Sequence, residues 1–189
     1  MTENNYTDTK ANNFKTTTGL RAEFFDKTLR AVADFTYSYR MNNELKKRTV
    51  VPYSTGPGIY ETLGVPGTDD YLQEYFSGTN YLAANAYLEY ENTFAKKHYF
   101  KAMAGYNYEQ KHWKGVTSKR YDLMTPDTDA INLAMGESMS ITSNESRWRL
   151  AGFMFRLNYS YDERYLLEIN GRYDGSSKFP TYSRWGFFP

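Results

Sequence analysis

The 189-residue chain contains no cysteine. That excludes a disulfide framework and any thiolate metal site. Histidine is nearly absent: the two present, His98 and His112, lie too far apart in sequence to share a metal, and His98 reads as an interfacial side chain near a turn. No stretch approaches the roughly 20 consecutive apolar residues of a transmembrane helix. The opening MTENNYTDTK is polar and lacks the apolar core of a signal peptide. Charge of either sign is not in excess, with a formal net charge of +1. Nothing therefore suggests a nucleic-acid partner or a basic helix lying on a membrane surface. The G-x-S-x-G, P-loop and H-E-x-x-H patterns are all missing, so no enzyme and no cofactor is indicated. Asp69-Asp70 and Asp127-Asp129 have carboxylates that suit a hard cation, but the spacing of a calcium loop is missing. Turn or cap roles are expected for them.

What the chain has in quantity is aromatic residues: 19 Tyr and 12 Phe, with a mean hydropathy that is still negative at -0.75. They are arranged with a period of two. Phe153, Phe155, Leu157, Tyr159 and Tyr161 alternate with Met154, Arg156, Asn158 and Ser160. After Asp162-Glu163-Arg164 the alternation resumes, with Tyr165, Leu167, Ile169, Gly171 and Tyr173 opposed to Leu166, Glu168, Asn170, Arg172 and Asp174. Successive side chains of a strand point to opposite faces, so this is a hairpin with one apolar and one polar face. A second hairpin is expected from Phe14 to Arg40, turning near Asp26-Lys27. A third runs from about Tyr81 to Glu109, turning near Ala95 to Lys97. Residues 1 to 12 read as loop. Residues 41 to 78 read as a long loop rich in Pro and Gly, with Asp69 capping a short helical turn through Leu72, Tyr75 and Phe76. Residues 110 to 146 read as a second long loop, with a short helix around Thr128 to Met135.

Short turns and long loops thus alternate strictly, and each apolar face runs for about 10 residues, the length that crosses hydrocarbon. Aromatic residues gather toward both ends of the strands, around a centre of Ala, Leu, Ile and Phe. Two such bands are what two membrane interfaces select. The expected fold is all-β: an antiparallel up-and-down meander of about six strands with two long loops. It forms an incomplete segment of a transmembrane β-barrel. Six strands are too few to close, so a curved, open sheet is expected. The rival is a soluble carbohydrate-binding β-module whose aromatics form a platform. It predicts that the chain folds alone in buffer and binds glycans.

The run Leu157 to Glu168 (LNYSYDERYLLE) and its continuation, Asn170 to Pro180 and Arg184 to Pro189, resemble SusC/RagA-like TonB-dependent outer-membrane transporters of the Bacteroidetes. The stretch Phe100 to Glu109 also resembles that family. The resemblance is dense from about Asn80 and weak before it. It implies that residues 1–189 are part of a receptor barrel of about 22 strands, whose plug and closing strands lie outside this stretch. It further implies import of oligosaccharides or peptides across the bacterial outer membrane. The implied partners are membrane lipid, a SusD-like lipoprotein and the TonB complex, the last engaged through other parts of the protein.

The polar face is then the functional candidate. Arg30, Asp34, Arg40, Asn85, Glu89, Glu91, Lys101, Asn107, Glu109, Arg156, Asn158, Glu168, Asn170, Arg172 and Asp174 would point into the lumen. Mixed charge favours wall and plug contacts for most of them. Trp113, Tyr121 and Trp148, in or beside the second long loop, have rings suited to stacking on sugars. With Arg172 and Asp174 they form the candidate substrate-binding set.

Overall fold

The structure, a computed structural model, describes residues 5–125, 127 and 129–189. The described residues form strands β1 (Tyr6–Phe24), β2 (Leu29–Arg48), β3 (Val51–Gly56), β4 (Ile59–Leu63), β5 (Tyr71–Phe94), β6 (His98–Tyr121), β7 (Met139–Tyr161), β8 (Tyr165–Ser176) and β9 (Trp185–Phe188). Two single 3₁₀ turns, Ile131–Leu133 and Thr181–Ser183, are the only helical pieces among them. Among the described residues no helix is long and apolar enough to cross a membrane, which leaves crossing by strands untouched. Seven strands make one sheet in the order β1-β2-β5-β6-β7-β8-β9, and β3-β4 make a separate pair. The first and last strands of the large sheet do not meet, so it is open and meandering, as expected.

The three short turns fall where the alternation breaks. In each, a backbone N–H donates to the carbonyl three residues back: Thr28 to Phe25, Lys97 to Phe94, Arg164 to Tyr161. The central residues Asp26-Lys27, Ala95-Lys96 and Asp162-Glu163 all have positive φ. Paired left-handed residues are the type I′ signature, but the connections are longer than two residues: Tyr161 pairs with Tyr165, and Phe25 is also at positive φ in the first turn. The β7-β8 ladder pairs Phe155 with Gly171 and Leu157 with Ile169, the alternation read from the sequence.

Several expectations are corrected. β1 begins at Tyr6, so the described part of residues 1 to 12 is mostly strand and not loop. β5 begins at Tyr71, so Leu72, Tyr75 and Phe76 lie in a strand and not a helical turn. Asp69 instead accepts the Val65 amide at 2.8 Å, and Asp70 accepts the Gly67 and Leu123 amides. The first long loop holds the β3-β4 hairpin, turning at Pro57-Gly58. The second is shortened to residues 122–138, because β6 continues to Tyr121 and β7 begins at Met139 rather than near Arg147. Its helix is only the Ile131–Leu133 turn, and Thr128 lies outside the described residues. The strand number rises from about six to seven in the main sheet. The extra strand is β9, four residues too short to show a period.

Contacts divide the chain into two units. Unit one is Met1–Asn13, Arg40–Thr79 and Trp113–Ser146; unit two is Phe14–Tyr39, Asn80–His112 and Arg147–Pro189. In unit one Leu72 and Ala134 are buried; they are the only buried large or small hydrophobes of the apolar core class among the described residues. Unit two exposes its apolar series, including Leu20, Phe35, Leu88, Phe153, Phe155, Leu167 and Ile169, each more than two-fifths accessible. Leu20, Ala22, Ala31, Ala33, Leu88 and Phe153 share one continuous apolar surface there. No second layer covers that face among the described residues. Aromatic rings cover glycines on it: Phe155 and Phe187 over Gly171, and Trp185 over Gly175, a device that holds glycine-bearing strands in register. Tyr173 stacks on Trp185 at 5.1 Å.

Candidate functional site

In unit two the polar series is largely neutralised by its own neighbours. Arg30 on β2 bridges Glu89 at 2.8 Å and Glu91 at 2.7 Å on β5. Lys101 on β6 reaches the same two carboxylates at 3.0 and 3.5 Å. The Tyr99 hydroxyl donates to Glu91 at 3.1 Å. Asn107 donates to Asn85 at 2.6 Å, and Tyr81 to Glu109 at 3.1 Å. These groups join adjacent strands and leave few free valences.

The five candidate substrate-binding residues fall in different units. Trp148, Arg172 and Asp174 lie in unit two. Arg172 bridges Asp174 at 3.1 Å on the same strand, and both line a recess of about 400 Å³ with Asn107, Glu109, Arg184 and Trp185. The Arg184 Nε is out of solvent and has no hydrogen-bond partner. Trp148 carries the Lys178 ammonium 5.1 Å from its ring centre. His98, at the short-turn end, hydrogen-bonds the Tyr159 hydroxyl at 2.8 Å through Nδ1 and lies against Tyr161. Among the described residues no group of three His, Asp or Glu is placed to hold a metal.

Trp113 and Tyr121 lie in unit one, on β6. A side chain at Gly115 would meet the Trp113 ring at 2.8 Å and the Tyr75 ring at 3.3 Å, so both rings lie over that glycine. Tyr121 meets Tyr71 edge-on at 5.9 Å. The Lys119 ammonium sits 3.7 Å from the Tyr71 centroid and 4.4 Å from that of Tyr121. The Lys46 ammonium is 5.9 Å from the same Tyr71 ring. Counted by twos, Lys46 on β2, Tyr71 and Tyr75 on β5, and Trp113, Lys119 and Tyr121 on β6 belong to the polar series of their strands. Sequence reading missed Lys46, Tyr71 and Lys119. The available signal is their shared parity with Tyr121, obscured because the alternation is legible only up to Arg40 on β2, from about Tyr81 on β5 and up to Glu109 on β6.

On the other series of unit one, buried Lys47 bridges Asp129 at 2.9 Å. Hydrogen bonds from Tyr6 and then Lys47 hold the Asp129 carboxyl below its usual range. Burial, and then Asp129, push the Tyr6 hydroxyl up to about 12. This cluster ties the second long loop to β2.

No family model matches the chain. It is 30% identical over 104 residues to TonB-dependent receptor P26 of Formosa agariphila, covering 54% of this chain and 10% of that receptor. It is 30% identical over 141 residues to TonB-dependent receptor SusC of Bacteroides thetaiotaomicron, covering 74% and 13% respectively. Its backbone superposes on the RagAB peptide importer in the closed-closed state with a TM-score of 0.81 at 14% identity, covering 98% of this chain and 20% of that one. The open-open state gives 0.72 with 99% and 20% coverage. The chain thus spans only a small share of the length of the relatives it matches. The resemblance to SusC/RagA-like TonB-dependent receptors, read first from residues 80–189, is borne out in sequence and in fold.

Proposed function

We propose that this chain, similar to a barrel segment of the SusC/RagA-like TonB-dependent receptors, is part of the wall of an outer-membrane transporter that imports oligosaccharides or peptides. The observation that carries the reading is the bare apolar face of unit two. A sheet with so few buried hydrophobes and so many exposed ones has no interior of its own, and lipid is the solvent that such a face suits. The strand portions in unit two are the crossing segments; the strand extensions and loops of unit one stand in water. The open edges of the sheet pair with further barrel strands, since unpaired backbone is not tolerated in hydrocarbon. By resemblance, a SusD-like lipoprotein and TonB are the partners.

Trp113, Tyr121, Trp148, Arg172 and Asp174 are proposed to face the passage. The first three offer rings to ligand. Arg172 and Asp174, already paired, shape the wall and contact ligand less. The relatives are named as receptors and importers, and none is named for catalysis.

The test uses the intact protein that contains this chain. It is expected in the outer-membrane fraction, to need detergent for extraction, and to show β-barrel heat-modifiability on gels. A monodisperse product in detergent-free buffer would remove this reading and favour the soluble glycan-binding module.

A further inference from the structure

We infer that Lys46 and Lys119, gathered on the Tyr71–Tyr121 ring pair, form a binding site for the acid group of an anionic oligosaccharide. The inference rests on the transporter reading for the ligand's access to the polar face. Its physical basis is local to unit one. Two ammonium groups approach one tyrosine ring, Lys119 at 3.7 Å and Lys46 at 5.9 Å from the centroid. The two come from the strands on either side of β5, so an anion near the Tyr71 ring is attracted by both. No carboxylate among the described residues makes an ion pair with either one, whereas Lys10, Lys47 and Lys97 each have one and Lys101 has two. Asp70, the chain neighbour of Tyr71, is engaged by the amides of Gly67 and Leu123. Glu44, two residues before Lys46 on β2, makes no ion pair with it.

The ring arrangement selects against a neutral ligand at this spot. A sugar stacks on an open aromatic face, but Lys119 already stands over Tyr71 and beside Tyr121. An ammonium carries positive charge and three N–H donors, so this pair favours an anion. Neutral stacking is left to Tyr75 and Trp113, whose rings flank Gly115. Charge at one end and flat rings further along β5 and β6 suit a chain of sugars with acid substituents. They suit peptide side chains less, since those seek sockets rather than flat rings. Carboxylate and sulfate ester share the relevant chemistry.

The experiment is binding to the intact protein in detergent by calorimetry. The probes are trigalacturonate, its neutral methyl ester, a sulfated carrageenan tetrasaccharide and triglutamate. Wild type is expected to bind trigalacturonate or the sulfated tetrasaccharide at least tenfold more tightly than the ester, and which of the two binds identifies the acid. The advantage should shrink at high salt. Lys46→Gln with Lys119→Gln is expected to abolish the advantage while leaving ester binding within twofold. Each single variant should remove part of it. Intact heat-modifiability of the variants shows that they fold. The inference is overturned if neither anionic sugar outbinds the ester, or if the double variant keeps the advantage. Lysine-dependent binding of triglutamate alone would overturn the sugar assignment. In all these outcomes membrane extraction stays normal, whereas failure of the transporter reading shows in extraction itself.

Discussion

Lys47 and Lys46 are adjacent in sequence and opposite in fate. The first is 2% exposed and pairs with Asp129, 82 residues away; the second stands over an aromatic ring on the other face. Nothing in the local sequence separates them, because which lysine is covered depends on where a distant loop lands. A lysine buried beside a carboxylate is costly to leave alone. Asp129 is itself about half exposed, at 53%, so solvent screening limits the pair to about 1 kcal/mol. Asp129→Asn is therefore expected to weaken amide-exchange protection across residues 129–135 by roughly fivefold at neutral pH. The folded carboxyl titrates below its ordinary value of 3.8. Its contribution is present above that value and is lost as pH falls through the lowered one. The wild-type loop should thus lose the same protection in acid, below pH 3.8. Protection that stays flat down to pH 2, or that ignores Asp129→Asn, would remove the latch.

At the scale of elements, the turns were legible by position but not by residue type. Asp26-Lys27, Ala95-Lys96 and Asp162-Glu163 interrupt an alternation, and that interruption located them. None contains the Asn-Gly or Asp-Gly pair that type I′ geometry prefers. Each places at least two non-glycine residues at positive φ, three in the first turn with Phe25, and two at Ala95 (φ 49°) and Lys96 (φ 60°). A left-handed conformation costs an ordinary residue about 1–2 kcal/mol, part of which glycine's larger unfolded-state entropy offsets. Replacing Ala95-Lys96 by Asn-Gly is expected to stabilise the β5-β6 hairpin by about 1 kcal/mol. Urea unfolding of the intact protein in detergent measures it, and an unchanged midpoint would mean that the turn carries no strain. The strand ends were less legible for a different reason. A two-residue period shows in sequence only where one face is apolar and the other polar. Beyond their alternating stretches β2, β5 and β6 run on with polar residues on both faces, so Tyr71–Asn80 and Gln110–Tyr121 look like loop. The same loss of contrast hid the Lys46–Tyr71–Lys119 cluster, while Tyr121 and Trp113 were found by ring chemistry alone.

For the whole molecule, the decisive quantity is what the apolar series of unit two touches, because the same alternation serves a core or a bilayer. Sequence patterning found that series and its sided loops. It could not supply β9, whose four residues are placed by pairing Arg172–Gly175 with Trp185–Phe188. Leu88 separates the two environments. It is 55% exposed on β5, among Ala31, Ala33, Ala86 and Ala104. In water, arginine at so exposed a site changes stability by no more than about 0.5 kcal/mol. In hydrocarbon the same change costs about 2–4 kcal/mol near the midplane and less toward the interfaces. Leu88→Arg is therefore expected to lower the unfolding free energy of the intact protein in lipid vesicles by about 2 kcal/mol or more. Leu63→Arg on β4, at 71% exposure in unit one, should be nearly neutral under the proposed reading, which puts that hairpin in water. Equal and small effects at both positions would mean that Leu88 does not face acyl chains, and the bare apolar face would then need a protein cover.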